Sequence, residues 1–180
     1  MQELTNELLE IYEPLFYPST YRDPLRALQA ITKMARDKES NYILSGEIKR
    51  LFHTMDTKRL FRMITQDTKN EMVIEELEKL LEEETLLSDD YDWKKESAPK
   101  ISRLLADIYL HHVIDIWFED EIKEHCHGTC ELIRYRHEFE CSFARKEDIQ
   151  LFTDKLLQRL QLYGLRLDAQ RTIIMRQEQS

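Results

Sequence analysis

From Lys100 to about His125 the chain keeps a helical apolar period, with Ile101, Leu104, Leu105, Ile108, His112, Val113 and Ile116 in one stripe. Gly128 closes that helix. The next two runs, CELIRYR and EFECSFA, are β-rich and partly alternating, which predicts a hairpin centred near His137. A long helix that passes directly into a hairpin constrains the fold more than any other feature, because the apolar faces of both must be buried against a second layer.

The remaining elements follow from the same reading. Residues 2–14 put Leu4, Leu8, Ile11 and Leu15 on one helical face, and Pro14 ends or bends that helix. Asp23 before Pro24 reads as an N-cap with proline in the first turn, opening a helix to about Asp37 with Leu25, Leu28, Ile31 and Met34 in register. NYILS at 41–45 is a short buried strand. Helices are expected over 55–66 and 68–84, the second with Met72, Ile74, Leu77 and Leu81 inward, and SDDYDWKKESAP has the composition of a loop or weak hairpin. Asp148–Tyr163 is an amphipathic helix closed by Gly164, and LRLDAQRTIIM is a strand and a turn or two short strands. The expected class is α+β, rich in helix, with one small antiparallel sheet.

Composition narrows the function. At 180 residues the chain makes one domain or two small ones and can bury a core without disulfides or a structural metal. Its three cysteines cannot all pair with one another, which fits reduced thiols and a cytoplasmic protein. No apolar run approaches the ~20 residues of a membrane span, and the amino terminus lacks a signal pattern. Three glycines leave no phosphate-cradling glycine loop. The net charge of −9 argues against a protein that coats nucleic acid or anionic membrane. That charge is unevenly spread: residues 22–62 hold ten Lys/Arg against five acids, whereas 67–96 hold four against twelve.

The block LLADIYLHHVIDIWFEDEIKEHCHGTCELIRYRHEFECSF, followed by DKLLQRLQLYGLRLDAQRT, resembles the palm of group II intron reverse transcriptases, in which the helix reads LLANIYLHYVLDLWFE and the hairpin RYADDF. IYEPLFYPSTY and NYILSGEIKRLFHTMD are similar to the family's EPLF and ADIKGFFDNVD segments. The resemblance implies a reverse-transcriptase palm over 41–175, a helical remnant of the fingers over 1–40 and a tail at 176–180. It also implies a maturase-like ancestry.

The resemblance further implies a two-magnesium site held by three aspartates, and there this sequence departs. The first Asp position is Glu47, and YADD has become Tyr135-Arg136-His137-Glu138. Glu adds a methylene at a site where ~1 Å costs ~100-fold, and imidazole suits softer metals than Mg²⁺. Glu96-Ser97-Ala98 stands where the family has PQG, and the family's GFRPGRS stretch is shortened to YRDP. The basic amino-terminal fingers, which would precede Met1, and the thumb, which would follow about Gln170, are expected to be missing. Glu47, His137 and Glu138 are thus vestigial catalytic positions, with no cofactor expected. Glu47 and Glu138 could share one Mn²⁺ or Zn²⁺ with His137, leaving a residual metal-dependent nucleic-acid chemistry, but a solvated carboxylate pair bridged to Arg136 or Lys49 is the preferred reading.

Three further constellations extend beyond this site. His125, Cys126, His127, Cys130, His137 and Cys141 could form a zinc cluster but lack two separated ligand pairs, so a structural role is preferred, with Cys141 and Phe143 buried. Arg22, Arg26, Lys33, Lys49 and Arg50, with Lys58, Arg59 and Arg62, could retain an RNA-backbone face, which the net charge disfavours. Trp93, Trp117, Phe118 and Phe152 could include an exposed patch. The function expected is an inactive palm acting as a protein-interaction or self-association module, with RNA binding as the alternative and no role at a membrane.

Overall fold

The computed structural model describes residues 1–83 and 99–177. By contact the chain divides into two units, Met1–Phe16 with Arg50–His112 and Tyr17–Lys49 with Val113–Ser180. The units interleave along the sequence, a division that differs from the consecutive segments 1–40 and 41–175 expected above.

The first unit is helical: α1 (Gln2–Tyr12), α3 (Leu51–Thr54), α4 (Thr57–Asp67), α5 (Glu71–Glu82) and α6 (Lys100–Leu110). Side-chain caps set two helix starts. Asp56 accepts from the Arg59 amide at 3.0 Å, and Asn70 accepts from the Met72 amide at 3.1 Å. Helix α5 starts after Asn70 rather than after Asp67, and its buried positions are Val73, Leu77 and Leu80, while Met72 is exposed. In α1 the buried face is Leu4, Thr5, Leu8 and Tyr12, and the expected Leu15 lies exposed beyond the helix. Tyr12 can be buried because its hydroxyl donates to Asp67 at 2.6 Å, and His112 Nε2 lies 2.8 Å from the same oxygen.

The second unit holds a five-stranded sheet in the order β1-β3-β4-β2-β5. Its strands are β1 (Thr20–Tyr21), β2 (Tyr42–Glu47), β3 (Cys130–Tyr135), β4 (Glu138–Phe143) and β5 (Ile173–Arg176). The expected hairpin is β3–β4, with Arg136 and His137 as its turn. The sheet is mixed rather than antiparallel, because β1 pairs in parallel with β3. A two-residue strand carries no periodicity by which a sequence reading could place it.

Helix α2 (Pro24–Ala35) starts as expected, with Asp23 accepting from the Arg26 amide at 2.8 Å. Its register is not the expected one: Ala27 and Met34 are buried, whereas Leu25 and Leu28 are exposed. Helical structure does run from Lys100 to His125, ending in α7 (Lys123–His125), with π-helical turns at His111–Asp115 and Phe118–Ile122. Burial there extends beyond one stripe to Tyr109, Leu110, His111, Ile114, Trp117 and Phe118. Phe118, Phe143 and Phe152 form an aromatic cluster between β4, the 118–122 turn and α8 (Lys146–Leu162), with ring centroids 5.2–6.3 Å apart. Gly164, at φ 74°, lets the chain turn back after α8.

Candidate functional site

Strands β2 and β4 pair with Glu47 directly opposite Glu138, and the β3–β4 turn adds His137 beside them. The turn is held from beneath. Arg134, fully buried, pairs bidentately with Asp115 through Nε and Nη2, each at 2.7 Å, and its Nη1 donates to the Arg136 carbonyl at 2.6 Å. The Thr20 hydroxyl donates to the same aspartate at 2.9 Å. Arg136 takes a left-handed φ of 56°, the first central position of a tight hairpin turn, where glycine is the usual residue. The His137 carbonyl accepts from the Ile48 amide at 2.9 Å, which fastens the turn to the end of β2.

This placement brings one nitrogen and two carboxylates together. Ligand atoms of Glu47, His137 and Glu138 lie within 4.8 Å of one another, with Glu47 and His137 buried and Glu138 exposed. His137 Nε2 donates to Glu47 Oε1 at 3.2 Å, and Arg171 Nη1 lies 3.2 Å from Glu47 Oε2. Arg171 is thus one cation on Glu47, a partner the sequence reading did not name. Two backbone bonds carry the tail to that point: Asp168 N donates to the Glu47 carbonyl, and Lys49 N to the Arg166 carbonyl, both at 2.8 Å. Arg136 lies 5.1 Å from the Tyr135 ring centroid.

Glu47 and Glu138, with Arg171, border a cleft of about 520 Å³, with Leu28 and Ile31 of α2 and Ile173 of β5 on its apolar side. Glu140 also lines it, and burial is the main force pushing its carboxyl above the ordinary range, partly offset by a hydrogen bond with Ser45. Gly46 forms part of the floor, where an added Cβ would collide with the Phe139 ring. A magnesium pair does not fit this donor set. Mg²⁺ demands near-octahedral oxygen ligation at ~2.1 Å, yet one donor of the three is an imidazole, which suits softer metals.

The other candidates fare differently. Among the described residues, Glu47, His137 and Glu138 are the one group of three whose ligand atoms converge, so His125, Cys126, His127, Cys130 and Cys141 do not assemble a zinc cluster. Burial pushes the Cys126 thiol up to about 12 and raises Cys130 as well, which keeps both protonated. Asp148 organises that loop, accepting from the amides of His127 at 3.0 Å and Gly128 at 2.9 Å. Arg22, Arg26, Lys33, Lys49 and Arg50 are all exposed, but Arg50 belongs to the helical unit and the other four to the sheet unit. Trp117, Phe118 and Phe152 are buried; the exposed apolar residues of the sheet unit include Ile173, Ile174 and Met175 of β5 and Leu25 and Leu28 of α2. Trp93 and Glu96-Ser97-Ala98, with most of the SDDYDWKKESAP loop, lie outside the described residues.

No protein-family description and no curated protein matches this sequence. Among solved structures, apo telomerase from Candida tropicalis shares the fold at a TM-score of 0.69 and 12% identity, over 98% of this chain and 36% of that one. Candida tropicalis telomerase truncated from its C-terminal domain gives 0.64 at 15% identity, over 99% of this chain and 40% of that one. Telomerase from Candida albicans, solved with the TWJ fragment of telomeric RNA, gives 0.59 at 12% identity, over 99% of this chain and 34% of that one. The chain thus shares its fold with part of these telomerase structures and spans 34–40% of the chains it matches. No described helix is long and apolar enough to cross a membrane.

Proposed function

We propose that this protein is a reverse-transcriptase-type palm that does not polymerise nucleic acid and acts through protein contacts, by self-association or by docking in a larger assembly. One observation carries the reading: Glu47, at the position where the sequence resemblance implies a metal-bound aspartate, holds His137 on one oxygen and Arg171 on the other. Polymerase chemistry needs two divalent ions clamping the attacking and leaving oxygens, and the imidazole held on that carboxylate stands where the resemblance implies a further oxygen ligand, which leaves a magnesium pair short of donors. The likeness of the 100–141 block to group II intron reverse transcriptases supports a maturase-like origin, and the reduced cysteines support a cytoplasmic setting. Support for protein contacts comes from β5, an edge strand with three exposed, uncharged apolar residues in a row.

The test is template-primed nucleotide incorporation by the full chain with Mg²⁺ and with Mn²⁺. The reading expects none above a protein-free control, and incorporation abolished by Glu138→Ala would overturn it. RNA binding is the second reading, favoured by exposed Arg22, Arg26, Lys33 and Lys49 in the sheet unit. It expects RNA affinity to fall steeply with salt and the slope to flatten when these four are neutralised.

A further inference from the structure

We propose that Glu47, His137 and Glu138 form a site for a single borderline transition-metal ion, with Zn²⁺ as its preferred occupant. The inference starts from the misfit with magnesium described above: the same donors that fail a magnesium pair suit a zinc ion. Zinc takes imidazole nitrogen and carboxylate oxygen together at ~2.0–2.2 Å in a tetrahedron, which sets neighbouring ligand atoms about 3.4 Å apart. His137 Nε2 and Glu47 Oε1 stand 3.2 Å apart, and all three ligand atoms fall within 4.8 Å. The hydrogen bond between imidazole and carboxylate thus already holds two ligands at the edge length of a zinc tetrahedron; on binding, the Nε2 proton passes to solvent from the protonated ring or shifts to Nδ1 in the neutral one, so that Nε2 presents its lone pair to the ion.

Two features make the site accessible. Glu138 is exposed, so the third ligand turns in from the cleft side without disturbing the core. Arg171, a cation now on Glu47, has a side chain 57% exposed. An ion pair that open contributes little, so the guanidinium swings into solvent as the ion arrives. Glu47 and His137 are fixed by the β2–β4 register and by the buried Arg134–Asp115 pair, which holds the turn in place. Two carboxylates and one imidazole leave the fourth position to water facing the cleft. The order of affinity for such a set is Zn²⁺ over Mn²⁺, with Mg²⁺ last.

The inference concerns the same residues as the proposed function without depending on it: a chain that binds no zinc still fails to polymerise. The experiment is calorimetric titration of the metal-free full chain with Zn²⁺, repeated with Co²⁺ to read the visible bands of a tetrahedral ion. Wild type, His137→Gln, Glu138→Gln and the Cys126→Ser/Cys130→Ser double variant are compared. The expected result is one ion per chain, weakened at least about tenfold in each of the two ligand variants. Binding unchanged in the cysteine variant and undisturbed by an excess of Mg²⁺ belongs to the same expectation. Glu138 is exposed, so its variant keeps the test valid even if His137→Gln unfolds the turn. No saturable binding, binding lost with the two cysteines, or displacement of Zn²⁺ by an equal concentration of Mg²⁺ would overturn it.

Discussion

Arg134 is a fully buried cation paired bidentately with Asp115, and its guanidinium also holds the carbonyl of Arg136 in the turn that positions His137 and Glu138. Such a pair contributes little over an apolar replacement, but breaking it leaves a buried charge uncompensated. Arg134→Met should therefore cost about 3–5 kcal/mol in urea unfolding, and a double variant with Asp115→Leu should cost less than the sum of the two single changes. Glu140 behaves in the opposite sense. Burial raises its carboxyl above the ordinary 4.5, so the folded chain holds that proton more tightly than the unfolded chain. Its contribution to stability is thus complete below 4.5 and is lost as pH rises through the folded value. Glu140→Gln should raise stability at neutral pH and make no difference below 4.5, read as paired unfolding midpoints across that range.

At the scale of elements, β5 is the exposed member of the sheet. It pairs with β2 on one edge, and Ile173, Ile174 and Met175 are about half exposed. Edge strands are commonly blunted by a charge or a proline, and 173–175 contain neither. If this edge mediates self-association, Ile174→Lys should shift the sedimentation profile toward the single chain at concentrations where the wild type associates. An unshifted profile would place the contact elsewhere. The helix starts show why elements were easier to read than their faces. Asp23 and Pro24 announced α2 correctly, yet its buried side is marked by Ala27, a small residue that hydropathy ranks below the exposed Leu25 and Leu28. In α5 Val73, Leu77 and Leu80 keep the i, i+4, i+7 spacing of one face, and the more flexible Met72 beside it is left exposed.

Over the whole molecule, the positions of the site were legible, because a strand ending in Glu47 and a hairpin turning at His137 are both local signals. Their convergence across 90 positions, at 3.2 Å, is a property of the β2–β4 register. The pairing of Glu47 with Arg171 was not legible. Several cations stood nearer in sequence, and the choice of Arg171 follows from two backbone bonds that return residues 166–168 to the end of β2. The parallel pairing of β1 with β3 was hidden for a related reason, since two residues carry no pattern of their own. The fold shared with telomerase is proposed here to persist without polymerase chemistry. Template-primed incorporation, measured on the full chain with Mg²⁺ and then Mn²⁺, tests that claim most directly. The account predicts a signal equal to the protein-free control with either metal. Template-dependent product that disappears on Glu138→Ala would contradict it.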